Sequence, residues 1–149
     1  MLRENGTAQD FSPHVTIQVV DSSRIAAIPV LADLPREEIN ELAAAMTELD
    51  IEPGVNVVTV DDYGTAIYFI EQGEAEVLDE GGERSSVLSP GDTFGEIALL
   101  LTGERTATVV ARTRIRLLSL AGQDFERIRA AVPEFERVLR RLGHERAAR

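Results

Sequence analysis

Residues 94–108 read FGEIALLLTGERTAT, and they combine a glycine-acid pair with a single downstream arginine. Gly95-Glu96 opens the segment, and the apolar residues 97–101 that follow are enough for one or two turns of helix. Thr102-Gly103-Glu104 should end that helix, because glycine tolerates the left-handed conformations of a helix exit. We therefore predict a tight turn, a short helix, a second turn and then Arg105 at the start of a strand.

The same segment has the properties of an anion-binding site. The N–H groups in the first turn of a helix lack intrahelical partners and carry partial positive charge. A glycine just before them lets a phosphate approach the backbone, and Arg105 adds a planar two-donor fork that suits phosphate oxygens. Glu96 would repel the phosphate, but its carboxylate can accept a hydrogen bond from a neighbouring sugar hydroxyl. The implied ligand carries one phosphate and one adjacent hydroxyl, which is the shape of a nucleotide.

The sequence FGEIALLLTGERTATV (residues 94–109) resembles the phosphate-binding cassette of the cyclic nucleotide-binding domain family, the family of the catabolite activator protein and the protein kinase A regulatory subunits. The matching positions are Phe94, Gly95, Glu96, Ala98, Leu99, Arg105, Ala107 and Thr108. The resemblance implies that Glu96 binds the ribose 2′-hydroxyl and that Arg105 binds the cyclic phosphate. The alternative is an ordinary helical turn with a solvated glutamate and arginine.

Eight residues of this cassette form the predicted binding site: Phe94, Gly95, Glu96, Ile97, Ala98, Arg105, Thr106 and Ala107. The ligand that the resemblance implies is a cyclic purine mononucleotide, either cAMP or cGMP, with no further cofactor. In eukaryotic members of the family a threonine at the position of Thr106 favours cGMP through a contact to guanine. Bacterial members with a hydroxyl residue there often prefer cAMP, and we expect cAMP to be preferred here.

The sequence around the cassette predicts a mainly β fold with flanking helices. Short apolar runs separated by glycine turns are typical of a β-barrel or jelly roll, and the family implies an eight-stranded β-roll at about residues 51–120. Gln72-Gly73 and Gly81-Gly82 are hairpin turn signals. Further matches to the family, at Glu52-Pro53-Gly54, Gln72-Gly73-Glu74 and Ser89-Pro90-Gly91-Asp92, extend the resemblance to about residues 22–142. Strands are predicted at 55–60, 66–71, 74–79, 84–88, 107–112 and 114–119.

Helices are predicted on both sides of the β-roll. Residues 22–50 read as helical, with Ile39, Leu42, Met46 and Leu49 at helical spacing along one face. Two C-terminal helices are predicted at about 123–132 and 133–146, because the residue before a proline is disfavoured in a helix and makes Val132-Pro133 a joint. Before them, residues 1–21 read as a polar N-terminal arm or linker, and residues 22–149 read as the domain itself.

The last predicted helix carries an apolar stripe with basic residues around it. Phe135, Val138, Leu139 and Leu142 follow helical spacing, while Arg140, Arg141 and His144 lie near enough along the helix to reach a ligand's edge. The resemblance implies that this helix moves over the bound base and that the movement transmits the signal. It also implies that the helix can pair with the same helix of a second copy in a homodimer. The alternative is a helix that simply packs on its own barrel.

Composition excludes several kinds of chemistry. The chain contains no cysteine and only two histidines, His14 and His144, which are too scattered for a metal site. It contains no lysine, so neither a Walker phosphate loop nor a Schiff base is available. The predicted strands contain no histidine, which argues against a metal-dependent enzyme of the cupin type. No catalytic constellation is found, and we expect a binding domain rather than an enzyme.

The charge distribution and the length of the chain limit the partners that it can bind. Residues 1–83 carry 18 acidic residues and 3 arginines, whereas residues 84–149 carry 8 acidic residues and 12 arginines. This acidic balance, and the few residues after Pro133, argue against specific DNA binding by a helix-turn-helix module. The chain has no apolar run long enough to span a membrane and no signal peptide pattern, so we expect a cytoplasmic location. Its arginine-only basic set suggests a bacterial source.

The output of such a sensor is not visible in the sequence. The chain could be a fragment of a larger channel, transporter or enzyme, or a free-standing domain that acts on a partner. A β-roll that has lost its ligand and serves only protein contacts is the remaining alternative to a cyclic nucleotide sensor. The presence of both Glu96 and Arg105 argues against that alternative, because a site without a ligand does not need them.

Overall fold

The computed structural model describes residues 14–16 and 20–147, which form nine strands and four α-helices. The strands are β1 (His14–Thr16), β2 (Thr47–Ile51), β3 (Asn56–Val58), β4 (Ile67–Gln72), β5 (Ala75–Leu78), β6 (Arg84–Leu88), β7 (Thr93–Phe94), β8 (Thr108–Ala111) and β9 (Ile115–Leu120). The helices are α1 (Ser22–Ala26), α2 (Arg36–Ala45), α3 (Gly122–Ile128) and α4 (Pro133–Ala147). Short 3-10 turns occupy Pro29–Leu31 and Arg129–Ala131, and a π-helical turn occupies Ala98–Thr102.

The strands form two antiparallel sheets. One has the order β1-β2-β9-β4-β7 and the other the order β3-β8-β5-β6. The eight strands β2 to β9 form the β-roll, with α1 and α2 before it and α3 and α4 after it. The predicted fold class, an eight-stranded β-roll with flanking helices, is confirmed.

Two apolar cores lie on opposite faces of the five-stranded sheet. Along β4, Ile67 and Phe69 belong to the core shared with the helices, whereas Tyr68 and Ile70 belong to the core between the two sheets. This alternation follows from the pleat of a strand, which turns successive side chains to opposite faces. A strand that is covered on both faces needs apolar residues on both faces, which explains the apolar run at residues 67–70 in β4 and the adjacent buried residues Leu117 and Leu118 in β9.

Helix α4 packs its apolar stripe on its own domain. Phe135 and Leu139 are fully buried, and the Phe135 ring lies 6.4 Å from the ring of Phe69 and 6.1 Å from that of Phe125. Val138 and Leu142 are half-buried. Phe135 and Leu139, the two most buried residues of the stripe, therefore belong to the core of the domain. Pairing with a second copy through this helix stays a prediction.

The first turn of α4 is held from two sides. The buried carboxylate of Glu38, in α2, accepts hydrogen bonds from the N–H of Phe135 at 2.9 Å and of Glu134 at 3.2 Å. Because Val132 has no side-chain acceptor, Glu38 takes the role that an N-cap residue usually has. On the other side, Arg129 donates to Glu136 at 2.8 and 2.6 Å, so an ion pair bridges the joint at Pro133.

The region predicted to be helical, residues 22–50, contains the two helices α1 and α2 with a 3-10 turn between them, and the prediction is wrong at its C-terminal end. Helix α2 ends at Ala45, and Thr47–Ile51 forms strand β2, which pairs residue by residue with β9. Leu49 continues the helical spacing of α2, but it also alternates with Ile51, and both point into the core between the sheets. The two-residue strand β7 was also not predicted. Of the predicted N-terminal arm, His14–Thr16 pairs with β2 as β1, and residues 1–13 and 17–19 lie outside the described residues.

Helix length also bears on membrane insertion. Within residues 20–147, none of the helices combines the length and the apolar character needed to cross a bilayer.

Candidate functional site

A cavity of about 340 Å³ lies between the cassette and the four-stranded sheet, which is within the size range of small-molecule sites. All eight predicted site residues line it. The remaining lining residues come from the sheet: Val58, Val77, Ser85, Ser86, Leu88 and Val109. The structure therefore brings the predicted residues together around one cavity and adds a wall of valines, a leucine and two serines that the sequence analysis did not identify.

The cassette has the backbone shape that its sequence predicts. Gly95 has φ of 98°, and a Cβ atom there would lie 2.7 Å from the carbonyl oxygen of Ala66, so only glycine fits. Helical backbone starts at the next residue and continues through the π-helical turn Ala98–Thr102. Gly103, with φ of 74°, ends the turn, and its N–H donates to the carbonyl oxygen of Ala98 at 2.8 Å. The predicted sequence of turn, short helix and turn is confirmed, and most of the helix is a π-helical turn. The prediction that Arg105 starts a strand is wrong, because β8 begins three residues later, at Thr108.

Arg105 is buried without a full set of hydrogen-bond partners. Only 7% of the residue is exposed, and its Nη1 atom has no hydrogen-bond partner among the described residues. Burial lowers the pKa of Arg105, while the neighbouring Tyr68 opposes that shift. Since an arginine stays protonated in proteins, the site holds a positive charge with an unused donor. Such a group can bind an anion strongly, because little water has to be removed first.

The backbone of Arg105 is fixed to the loop before β4. Its N–H donates to the carbonyl oxygen of Asp62 at 2.8 Å, and its own carbonyl oxygen accepts from the N–H of Asp61 at 2.9 Å. The N–H of Gly64 donates to the carbonyl oxygen of Gly103 at 2.9 Å. A Cβ atom at Gly64 would lie 3.2 Å from both Nε and Nη2 of Arg105, so this glycine lets the loop pass close to the guanidinium group.

Glu96 lies in the cavity wall and is only 1% exposed. Helix α4 passes directly beside it at Gly143, where a Cβ atom would lie 3.9 Å from Cγ of Glu96 and 3.9 Å from Cδ1 of Leu100. The three basic residues of α4 that the sequence analysis placed near the ligand line a separate groove, formed by Leu100, Leu101, Arg140, Arg141, Gly143 and His144. In this arrangement they border the cassette, not the cavity.

Comparisons with known proteins bear on the family of this chain. The model of the cyclic nucleotide-binding domain matches residues 48–131. A cAMP-dependent protein kinase regulatory subunit from Yarrowia lipolytica is 42% identical over 102 residues, which is 68% of this chain but only 27% of that subunit's length. The regulatory domain of Toxoplasma gondii PKA, solved with cAMP, matches this structure with a TM-score of 0.73 and 22% sequence identity. The match covers 86% of this chain and 49% of the Toxoplasma chain.

A bacterial structure shares nearly its whole length with this chain. The N-terminal domain of a transcriptional regulator from Streptomyces coelicolor A3(2) has a TM-score of 0.67 and 28% identity, with 84% of this chain and 90% of that domain covered. These relatives come from fungal, protozoan and bacterial sources, so the bacterial source of this chain stays a prediction. The family model spans more than half of the chain and includes the whole cassette. The chain therefore belongs to the cyclic nucleotide-binding domain family.

Proposed function

We propose that this domain binds a cyclic purine mononucleotide in the cavity beside the cassette, with the cyclic phosphate at Arg105. The observation that carries the proposal is the buried guanidinium group of Arg105, whose Nη1 lacks a hydrogen-bond partner within the described part of the chain. A buried polar group without a partner costs about 1–3 kcal/mol, and more when it is charged. A phosphate would supply that partner, and it would also meet the backbone N–H groups that follow Gly95.

The remaining walls suit the rest of such a ligand. Glu96, next to Gly95, provides a carboxylate for the ribose 2′-hydroxyl. The apolar side chains of Val58, Val77, Leu88 and Val109 provide a surface on which a purine base can pack. One phosphate site, one hydroxyl site and one apolar wall in a single cavity support a cyclic nucleotide over a simple anion.

We propose that cAMP is preferred over cGMP. Guanine presents the acceptors O6 and N7 on one edge, and a second arginine is the side chain that binds them best. Among the described residues that line the cavity, Arg105 is the one basic side chain, and the wall opposite it offers only the hydroxyls of Ser85 and Ser86. Thr106 could still bind guanine through its hydroxyl, so Thr106→Ala should weaken cGMP binding more than cAMP binding. A larger loss for cAMP would reverse the assignment.

We propose a regulatory role for the nucleotide, not a catalytic one. The relative from Yarrowia lipolytica is a regulatory subunit of a kinase, and this chain spans about a quarter of that protein's length. A domain of this kind passes its signal to another part of a protein or to a partner. The alternative, a β-roll that contacts proteins without a ligand, predicts no nucleotide binding at all.

Calorimetry with cAMP and cGMP tests the central proposal. Binding weaker than about 1 mM for both nucleotides would contradict it and favour the alternative. Arg105→Ala should weaken cAMP binding by about 2–5 kcal/mol, or roughly thirty-fold to several thousand-fold, because one partner of a partly buried charge pair is lost. Arg127→Ala is the matched control, since the Arg127 side chain is 63% exposed and pairs with Asp124 on α3. A variant with Arg105→Ala that binds within threefold of wild type would locate the phosphate elsewhere.

We propose that the signal leaves through α4. A ligand shifts a conformational equilibrium only by its difference in affinity for the two states, and α4 contacts the cassette at Gly143 beside Glu96. Nucleotide in the cavity should therefore favour the docked position of the helix. Hydrogen exchange across residues 133–146 should slow when cAMP is added. Equal exchange with and without cAMP, once binding is established, would mean that the signal uses another surface.

A further inference from the structure

Tyr68 lies against the one buried guanidinium group that the proposed function uses. The centre of the Arg105 guanidinium is 5.8 Å from the centroid of the Tyr68 ring, which is within the range of cation–π contacts. We infer that Tyr68 is a positioning residue, which holds the Arg105 guanidinium in place for the phosphate without neutralising its charge. This inference rests on the proposed function and adds a residue to that site.

The Tyr68 ring is itself held firmly. It stacks on the ring of Phe94, the first residue of the cassette, with centroids 5.0 Å apart and planes 24° apart. The two residues are also paired across strands β4 and β7, so the backbone aligns their rings. Tyr68 is only 6% exposed. A ring fixed in this way can hold a mobile side chain such as arginine in one position.

An aromatic partner has an advantage over a carboxylate at this position. A carboxylate would hold the guanidinium, but it would also occupy its donors and cancel the charge that a phosphate needs. The face of a ring attracts the cation through its quadrupole and uses none of the N–H donors. Burial also raises the pKa of Tyr68, so the phenol stays neutral beside the arginine. The unpartnered Nη1 of Arg105 fits this arrangement.

A second cavity beside Tyr68 offers the Arg105 guanidinium another position. Arg105 and Tyr68 together line this cavity of about 200 Å³, which also includes Thr59, Asp62 and Gly64. A smaller side chain at position 68 would enlarge this space next to Arg105. The guanidinium could then turn toward Asp62 and away from Gly95. Tyr68 therefore limits the space into which the Arg105 side chain could turn away from Gly95.

The test compares two substitutions of Tyr68 by calorimetry with cAMP. Tyr68→Phe keeps the ring face, so its affinity should stay within about threefold of wild type. Tyr68→Leu removes the face and should weaken binding between about twofold and thirtyfold, the range that corresponds to a cation–π contact. A Tyr68→Leu affinity within twofold of wild type would overturn the inference. No binding by the wild type would instead defeat the proposed function, so the two failures are distinct.

A double-mutant cycle separates positioning from packing. If Tyr68 acts through Arg105, Tyr68→Leu should change affinity by less than about twofold in the Arg105→Ala background, measured at high cAMP concentration. An equal loss in both backgrounds would mean that Tyr68 acts through its stacking on Phe94, and it would overturn the inference.

A measurement without ligand covers the case in which Tyr68→Leu folds poorly or the double variant binds too weakly. In the NMR spectrum, the Nε–H signal of Arg105 is identified by its loss in Arg105→Lys. That signal should be shifted by the aromatic ring in wild type and in Tyr68→Phe, and not in Tyr68→Leu. An unshifted, freely rotating Arg105 guanidinium in folded wild-type protein would contradict the positioning role.

Discussion

Replacing Arg105 by methionine should separate the binding role of this side chain from its effect on stability. The guanidinium is buried, and its Nη1 lacks a hydrogen-bond partner within the described residues, which costs about 1–3 kcal/mol. The contact with Tyr68 offsets part of this, by about 0.5–2 kcal/mol. Methionine fills a similar volume with a flexible apolar side chain and introduces no buried charge. We therefore expect Arg105→Met to be about 1 kcal/mol more stable than wild type when no nucleotide is present.

The assay is thermal and urea unfolding, with and without cAMP. For a chain of this length, a gain of about 1 kcal/mol corresponds to a rise in Tm of roughly 2–4 °C. Wild type should gain about 2.7 kcal/mol at a cAMP concentration of 100 times its Kd. Arg105→Met should gain less than about 1 kcal/mol at the same concentration, because a thirty-fold or greater loss of affinity leaves that concentration at no more than about three times the variant's own Kd. The variant should thus be the more stable protein without cAMP and the less stable one with it.

Arg127→Met is the matched control, because the Arg127 side chain is exposed and lies on α3. It should change neither the stability nor the response to cAMP by more than about 0.5 kcal/mol. A loss of more than about 1 kcal/mol of stability in Arg105→Met without ligand would contradict this expectation. That result would mean that the guanidinium is stabilised by its surroundings in the absence of phosphate.

Three further predictions concern glutamates. Glu96→Gln keeps a hydrogen-bond acceptor and should weaken cAMP binding modestly. The variant should bind 2′-deoxy-cAMP almost as well as it binds cAMP, because the substitution and the missing hydroxyl remove the same interaction. If the losses of affinity from the substitution and from the missing hydroxyl add fully, Glu96 has another role. Glu38→Ala should lower stability by about 1–3 kcal/mol and speed hydrogen exchange at the start of α4, since the buried N–H of Phe135 and the part-buried N–H of Glu134 lose their acceptor. Replacement of the exposed Glu41 by alanine should have neither effect. The pKa of Glu136 is lowered to about 2, mainly by its hydrogen bond with Arg129, so its contribution to stability is present above about pH 4.5 and is lost as the pH falls toward 2. When urea unfolding is measured from pH 4.5 down to about pH 2, the free energy of unfolding should fall less for Glu136→Gln than for wild type. An equal fall in both proteins would contradict a stabilising role for the ion pair of Glu136 with Arg129.

The β5–β6 hairpin and the cassette could be predicted because their signals are local. Gly82 has positive φ in the turn that joins the paired strands β5 and β6. The hairpin predicted at Gln72-Gly73 is wrong, because β4 and β5 lie in different sheets and Gly73 lies where the chain passes from one sheet to the other, close to the backbone of Arg114. The cassette likewise depends on the positive φ of Gly95 and Gly103, and on the arginine that follows closely. Strand β2 was missed because Leu49 satisfies both the helical and the strand period, and only pairing with β9 decides between them.

The rest of the site depends on contacts between distant parts of the chain. Strand periodicity predicts that Ser85 and Ser86 lie on a strand, but not that β6 faces the cassette across a cavity. Tyr68 reads as an ordinary core residue until β4 is paired with β7. The sequence offered no reason to bury Glu38, because its partners on α4 are 96 and 97 positions further along the chain.

If α4 moves as we propose, the cap that Glu38 provides makes the helix a lever. Its fulcrum is the first turn, where Glu38 and the ion pair of Arg129 with Glu136 fix the helix. Gly143 lies ten residues further on, or roughly 15 Å along the axis, so a tilt of about 10° would move it by roughly 2.6 Å. That displacement is about the width of a water molecule. Such a rotation would leave the buried Phe135 near the fulcrum almost in place and would move the buried Leu139 by roughly 1.6 Å. It would lift Gly143 off Glu96 and admit solvent to the cassette.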